Sequence, residues 1–220
     1  MLLEVRRTAM LALLVAATAS PQQRTLPLDP LTAQERESAT ALARADARVH
    51  ELLGSGRSRQ IYVDFIAAKP ARETYGSDQP PHRYADVLFY RYDGDLGVRA
   101  LVDLQARAVT DVARVNGESV PINGEEIAEA GRLALADPGV ARLFGGKIPA
   151  FRVATRPATK QETNDNRIEG LRTLGASPND PCYRHRCIAL FFRTNNRYVY
   201  LNRVVVDLTS QRVTVSGGEQ

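Results

Sequence analysis

The densest group of reactive side chains in this sequence lies over residues 181–187, Pro-Cys-Tyr-Arg-His-Arg-Cys. Cys182, His185 and Cys187 are three ligands that copper or zinc accepts, so a metal site is one interpretation. The alternative is a disulfide, because these two cysteines are the only ones in the chain and four residues separate them. Since a metal site normally takes a fourth ligand from elsewhere, we favour a disulfide between Cys182 and Cys187, with His185 at the surface.

The remaining patterns do not form a recognisable catalytic site. His50 falls in a helical pattern and His82 in a polar loop, and neither has a Ser or Asp nearby in a familiar arrangement. The acidic pair Glu125 and Glu126 suits the first turn of a helix, where the helix dipole attracts negative charge. We therefore predict no catalytic, cofactor-binding or metal-binding residue in this chain.

Two further acids, Asp103 and Asp207, hold matching places in two similar stretches of sequence. RALVDLQARAVTDV covers residues 99–112, and RVVVDLTSQRVTV covers residues 203–215. An outward-facing acid at the end of a strand, bonded to turn amides, explains both aspartates without a catalytic role. The similarity indicates a repeated structural unit.

The repeat continues upstream in two helical segments. Residues 42–54 align without gaps on residues 133–145 and are identical at seven of thirteen positions. Both segments place apolar residues on one helical face. These residues are Leu42, Ala45, Val49, Leu52 and Leu53 in the first segment, and Leu133, Ala136, Val140, Leu143 and Phe144 in the second. Thr32 with Glu35, and Asn123 with Glu126, have the spacing of a capping box, so each unit opens with one capped amphipathic helix.

Alternating apolar residues after each helix predict strands. Ile61, Val63 and Phe65 form the first strand of one unit, and Phe151 and Val153 that of the other. Long polar stretches follow over residues 69–82 and 156–181, and then three strands with turns at Asp93-Gly94 and at Asn195-Asn196.

This order predicts an α+β fold of two tandem cystatin-like units. Each has one helix packed on a four-stranded antiparallel sheet, because that arrangement buries both apolar surfaces. We place the first unit at residues 29–120 and the second at residues 121–220.

The N-terminal residues have the features of an export signal. Arg6 and Arg7 precede an apolar run over residues 9–17, and Ala17-Thr18-Ala19 fits the small-x-small cleavage rule. We predict a signal peptide over residues 1–19, a leader over residues 20–28, and a secreted or periplasmic protein. The apolar run is too short for a bilayer span, and no later segment could form one.

The charge pattern argues against a nucleic-acid partner. The sequence has 29 Lys and Arg against 25 Asp and Glu, and after residue 19 the basic residues occur singly along the chain. Binding to nucleic acid needs a dense basic stripe, usually with stacking aromatic residues.

The chain resembles the N-terminal region of copper amine oxidases, in which two small cystatin-like domains precede a large catalytic β-sandwich. The resemblance lies in PLDPLTAQE at residues 27–35, ALADPGV at residues 134–140, and a Val-Asp-Leu followed by a Val-rich strand at residues 102–115. It covers about residues 27–216. It implies a protein-binding role, because in the family these domains pack on the catalytic core.

The sequence lacks the family's chemistry. Copper amine oxidases need a tyrosine that becomes a quinone, in an Asn-Tyr-Asp/Glu setting, and three histidines that bind copper, two of them as His-x-His. This chain has no Asn-Tyr dipeptide, and its three histidines lie far apart. Copper and quinone therefore belong to a catalytic domain that this chain does not contain, and we expect a non-catalytic accessory module whose protein partner is an amine oxidase catalytic chain.

Two alternatives stay open. The chain could be part of a primary amine oxidase whose catalytic domain lies elsewhere. It could also be a cystatin-like protease inhibitor, although Gln211-Arg212-Val213-Thr214-Val215 has Val215 where the inhibitor motif has Gly. Domains that pack on a large catalytic core should keep an exposed apolar patch, and the candidate interface is the aromatic strand that contains Tyr198 and Tyr200. The alternative is that these rings cover the helix.

Overall fold

The computed structural model describes residues 29–66, 82–153, 166–194 and 197–216, and gives only the backbone of residues 200–203. It confirms an α+β fold with two sheets, as expected for cystatin-like units. In chain order the elements are α1 (Ala33–Ala45), α2 (Ala47–Leu53), β1 (Ser58–Ile66), β2 (Tyr84–Arg91), β3 (Leu96–Asp103), β4 (Ala108–Asn116), α3 (Gly124–Ala136), α4 (Pro138–Leu143), β5 (Arg152–Val153), β6 (Arg167–Thr173), β7 (Cys187–Thr194), β8 (Arg197–Asp207) and β9 (Arg212–Val215).

Both predicted capping boxes are present, but each predicted helix is a pair of helices. Thr32 and Asn123 cap α1 and α3 as expected. Each helix then breaks at an aspartate, Asp46 or Asp137, whose side chain accepts hydrogen bonds from the first amides of a short second helix. Because the break resets the helical phase, Ala45 is exposed although the sequence pattern placed it on the buried face.

The first sheet is antiparallel, in the order β1-β2-β3-β4. One face packs on α1 and α2 around a core that contains Val63, Val87 and Phe89. The turn between β2 and β3 forms at Asp93-Gly94 as predicted, and Gly94 has a φ of 87°, a backbone conformation that favours glycine.

The second sheet is mixed, in the order β5-β6-β7-β8-β9, with β5 parallel to β6. Residues 156–181 were predicted to form one long loop, which is wrong, because β6 lies within them and pairs with β7. Strand β6 takes the place in this sheet that β1 takes in the first, while the predicted strand at Phe151 and Val153 is reduced to the two-residue β5. The predicted turn at Asn195-Asn196 lies outside the described residues.

The first half of α3 contacts both sheets. On one side it packs on the inner face of the second sheet, where Ile188, Leu190 and Val204 are buried. On the other side, Asn123 Nδ2 donates to the carbonyl oxygen atoms of Gln60 and Ile61, 3.1 and 3.3 Å away, at the first sheet. The predicted domain boundary at residue 120 falls between β4 and α3 and stays a prediction.

A fully buried ion pair forms at this contact. Glu126 accepts hydrogen bonds from Arg186 Nε at 2.9 Å and Nη2 at 2.7 Å, and both side chains are fully buried. The hydroxyl of Tyr92, from the first sheet, donates to the same carboxylate at 3.0 Å. Burial and the neighbouring carboxylate raise the pKa of Tyr92, so the phenol stays a neutral donor. One carboxylate therefore binds groups from both halves of the chain.

Removing Arg186 tests this contact. We expect Arg186→Met to lower the free energy of unfolding by about 3–5 kcal/mol, because it leaves the Glu126 carboxylate buried without its counter-ion. Chemical denaturation measures the change. Arg48→Met is the matched control, since Arg48 is 52% exposed in its pair with Asp46, and we expect its unfolding midpoint to stay near that of the wild type. Equal effects of the two variants would contradict the importance of the buried pair.

Candidate functional site

The two halves share a His-Arg dipeptide immediately before a central strand, His82-Arg83 before β2 and His185-Arg186 before β7. In the first half, Arg83 is buried and donates to Glu35, with Nε 2.9 Å from Oε1 and Nη2 3.1 Å from Oε2. Glu35 holds the same capping position in α1 that Glu126 holds in α3. Each arginine therefore ties the start of a helix to the start of a strand.

Each histidine pairs with an aspartate at the end of the next strand. Nδ1 of His82 contacts Oδ2 of Asp103, and Nδ1 of His185 lies 2.6 Å from Oδ2 of Asp207. Oδ1 of Asp207 accepts the turn amides of Thr209 and Ser210 at 2.9 and 3.1 Å.

Asp103 accepts its turn amides in the same way, from Gln105 at 3.0 Å and Ala106 at 2.9 Å. The prediction that both aspartates bind turn amides is confirmed. Both aspartates lie on the outer faces of their sheets, as predicted, but Asp103 and Asp207 are only 3% and 8% exposed. The partner histidine and the turn amides compensate for that burial.

These contacts keep both aspartates ionised. Burial alone would raise the pKa of Asp207, but hydrogen bonds from Ser210 and His185 outweigh it and hold the pKa below its usual value of 3.8. Burial would also raise the pKa of Asp103, but the contact with His82 and the hydrogen bonds from the turn amides outweigh it, so the pKa is lowered. Each His–Asp pair is therefore a fixed polar contact at the end of a sheet.

The pair at His185 does not have the geometry of a hydrolytic triad. In such a triad the serine hydroxyl contacts the histidine, and the histidine contacts the aspartate. Here the Ser210 hydroxyl donates to Oδ2 of Asp207 at 2.6 Å, the same oxygen atom that His185 contacts. The serine and the histidine thus share the acid, and the histidine is not aligned to activate the serine.

The predicted disulfide between Cys182 and Cys187 is confirmed, with the two Cα atoms 5.4 Å apart. A disulfide leaves neither sulfur as the thiolate that zinc or copper binds, so the metal interpretation of Cys182, His185 and Cys187 does not hold in this form. Within residues 29–66, 82–153, 166–194 and 197–216, no group of three or more His, Cys, Asp or Glu could hold a metal ion.

An open cavity of about 450 Å³ lies beside this disulfide. The turn that contains Asp180 and Cys182 forms one wall, and β8 and β9 form the floor with Val205, Asp207 and Thr214. The cavity opens on the outer face of the second sheet, the face that points away from α3. His185 lines it and is 37% exposed, so the predicted surface position of this histidine holds in part.

Of the two predicted interface tyrosines, Tyr198 is 48% exposed. Its hydroxyl donates to Glu169 at 2.8 Å, and its ring meets the edge of Phe191 with the centroids 6.4 Å apart. The side chain of Tyr200 lies outside the described residues, so its role stays a prediction. His50 is exposed on α2, as expected for a helix-surface residue.

The inhibitor-like segment lies along β9, the edge strand of the second sheet. Gln211 ends the turn between β8 and β9, and its Nε2 donates to Glu129 of α3 at 3.3 Å. Val213 and Val215 pack against the core around α3. An inhibitor wedge must project from the surface, so this segment does not favour the inhibitor alternative.

Comparison with known proteins identifies a similar fold. No family model matches the chain, and no curated protein matches it. Among solved structures, a copper-containing benzylamine oxidase from Hansenula polymorpha matches with a TM-score of 0.50 and 16% sequence identity.

The chain folds like part of an amine oxidase. The match covers 88% of this chain and 30% of the benzylamine oxidase chain, so the chain spans less than a third of the protein it resembles. At this identity the likeness shows the fold alone. None of the helices in the described part of the chain is both long enough and apolar enough to cross a membrane.

Sequence reasoning missed the two buried arginines. Arg83 and Arg186 each form an ion pair, with Glu35 and Glu126, but in a sequence an arginine next to a histidine usually indicates an exposed basic pair. The available signal was positional, because His-Arg stands immediately before the first buried strand residues in both halves. The partners, Glu35 and Glu126, lie 48 and 60 residues away, so spacing could not predict the pairing.

The lowered pKa of Asp207 predicts a loss of stability in acid. A carboxyl group whose pKa is lower in the folded state stabilises the fold above its unfolded pKa, and this contribution is lost as the pH falls through the folded pKa. We expect Asp207→Asn to unfold more easily than the wild type at about pH 6, and the difference to shrink by about pH 3. Thermal unfolding across this range measures it, with Asp111→Asn, at an exposed position of β4, as the control. A difference that stays constant with pH would contradict this role.

The disulfide predicts a moderate stabilisation. Replacing both Cys182 and Cys187 by Ser should lower the free energy of unfolding by about 2 kcal/mol, because the closed loop is short. Denaturation of the oxidised wild type, the reduced wild type and the double variant measures this loss. The reduced wild type should match the double variant, and a stability equal to that of the oxidised protein in either sample would contradict the prediction.

Proposed function

We propose that this chain is an exported, non-catalytic binding module that acts with a separate protein, and that the partner is the catalytic chain of a copper amine oxidase. The observation that carries the proposal is the fold likeness, which extends over 88% of this chain but over only 30% of an amine oxidase chain. Such a module would supply surface to the oxidase while the oxidase supplies copper and quinone.

The polar side chains support a binding role. The residues with catalytic potential, His82, His185, Asp103 and Asp207, are used to fix strand ends and turns, and the two cysteines form a disulfide. A disulfide is typical of proteins in oxidising compartments. It therefore supports export, together with the signal-like N-terminal residues.

Two measurements test the proposal. The mature chain, residues 20–220, is first loaded with copper and assayed alone for amine-dependent release of hydrogen peroxide. We expect no turnover, and turnover by the isolated chain would contradict the non-catalytic role.

The mature chain is then used to capture exported proteins from its source, and each captured protein is purified and recombined with it. We expect the partner to release peroxide from an amine, and to bind the recombined chain with a measurable affinity. Recovery of a protease whose activity the chain suppresses would contradict the proposal in favour of the inhibitor alternative.

A further inference from the structure

The outer face of the first sheet, the face opposite α1 and α2, shows how this fold docks a helix. At one end of that face, the Arg59 Nη2 atom lies 2.7 Å from Oε2 of Glu129, and its Nη1 atom lies 3.5 Å from Glu125, both on α3. Leu88 and Tyr90 of the same face are buried in the core around α3. Two carboxylates one helical turn apart thus bind an arginine on the first strand of this sheet.

Strand register identifies the matching position in the second sheet. Arg59 pairs with Tyr90, which lies seven residues after Arg83. Arg167 pairs with Arg193, which lies seven residues after Arg186. Because Arg83 and Arg186 hold the same place in the two halves, Arg167 of β6 stands where Arg59 stands in β1.

Arg167 lacks the partner that Arg59 has. The Arg167 side chain is only 2% exposed, and its Nε and Nη1 atoms have no hydrogen-bond partner among the residues that the structure describes. Burying hydrogen-bond donors without an acceptor destabilises the folded state. A carboxylate brought to this position would remove that cost.

The surroundings of Arg167 also favour an acidic partner. Arg152, Arg167 and Arg193 pair directly across β5, β6 and β7, so their side chains lie on the same outer face of the sheet. Arg152 and Arg193 have contacts of their own, and Arg193 Nη1 lies 3.8 Å from Oε1 of Glu169. Three positive charges side by side nevertheless strengthen the attraction of Arg167 for a carboxylate.

Apolar surface accompanies this charge. Tyr198, which pairs with Arg193 on the same face, is 48% exposed, and Leu171 of β6 is 61% exposed. Phe191 corresponds to Leu88 of the first sheet, because each lies five residues after its arginine, Arg186 or Arg83. Leu88 is only 3% exposed, whereas Phe191 is only partly buried. The surface around Phe191 and Tyr198 thus corresponds to the surface of the first sheet that binds α3, but it is more exposed to solvent.

We propose that this end of the outer face of the second sheet, around Arg167, Phe191 and Tyr198, binds a helix of a partner protein. The helix carries two carboxylates one turn apart, as Glu125 and Glu129 do on α3. This inference rests on the proposed function only in requiring a protein partner, and it holds for any partner that presents such a helix.

A stapled peptide tests the inference without the natural partner. The probe copies residues 123–137 and is cross-linked through positions 132 and 136, which are exposed in α3. Fluorescence anisotropy measures its affinity for the mature chain, and amide shift mapping locates it. We expect binding with shift changes in β6 to β8. Absence of binding, or shift changes confined to the first sheet, would overturn the inference.

Variants of the protein and of the probe identify the pairing. We expect Arg167→Gln and Tyr198→Ala each to weaken binding at least tenfold, and Arg114→Gln, at an exposed position of β4, to leave it within twofold. A probe with glutamine at both positions 125 and 129 should bind the wild-type protein at least tenfold more weakly than the original probe does. The same change in the probe should cause no further loss of affinity for Arg167→Gln, because the effects of two groups that contact each other are not additive. Equal losses for Arg167→Gln and Arg114→Gln would overturn the pairing. Tyr198→Ala, at a half-exposed position, keeps the test valid if Arg167→Gln fails to fold.

A second measurement uses stability alone. Arg167→Met should unfold at the wild-type temperature or above, because it removes a buried charge that has no counter-ion among the described residues. Arg59→Met should unfold at a lower temperature, because it removes one of the two arginines, Arg57 and Arg59, that bind the buried carboxylate of Glu129. The reverse order would overturn the premise. Failure of the proposed function would appear separately, as capture of no oxidase while the probe still binds through Arg167.

Discussion

The fold depends on a capping carboxylate that also binds a buried arginine. Glu126 completes the N-terminal cap of α3 with Asn123, pairs with Arg186 before β7, and accepts the hydroxyl of Tyr92 from the first sheet. A complete buried ion pair adds little net stability over apolar packing, whereas an incomplete one is costly. Its effect is therefore to fix positions, because only one placement of the helix, strand and sheet satisfies all three groups.

The same arrangement in the first half has a different environment. Glu35 and Arg83 join α1 to β2, but the glutamate is partly exposed, while the first sheet covers Glu126. The His–Asp pairs at the ends of both sheets also fix positions, because each holds a strand end and the turn that follows it. Among the described residues, His82, His185, Asp103 and Asp207 thus hold the strand ends and turns of the two sheets.

Much of the fold could be predicted from local sequence patterns, and the predictions that were wrong have physical causes. The capping boxes were predictable because Thr32 and Glu35, or Asn123 and Glu126, interact within one turn. The break at Asp137 was also visible, since Asp followed by Pro138 is a helix-start signal, yet the apolar periodicity on both sides indicated a continuous helix. Strand β6 was missed because Gly170 interrupts its apolar face, where a Cβ atom would lie 2.8 Å from Ile188.

The candidate site was less predictable than the fold. The disulfide followed from the number and spacing of the cysteines. The pairing of Arg186 with Glu126, and the correspondence of Arg59 with Arg167, depend on strand register and on a bulge near Gln60. Contacts of that range carry no spacing signal in a single sequence.

Hydrogen exchange on the mature chain with Arg186→Met tests most directly whether one carboxylate joins the two halves. If α3 holds both sheets through Glu126, the amides of α3 and of the paired ends of β1 and β2 will lose protection together, while α1 and the far end of β3 keep theirs. Loss confined to the first turn of α3, with β1 and β2 fully protected, would contradict that coupling.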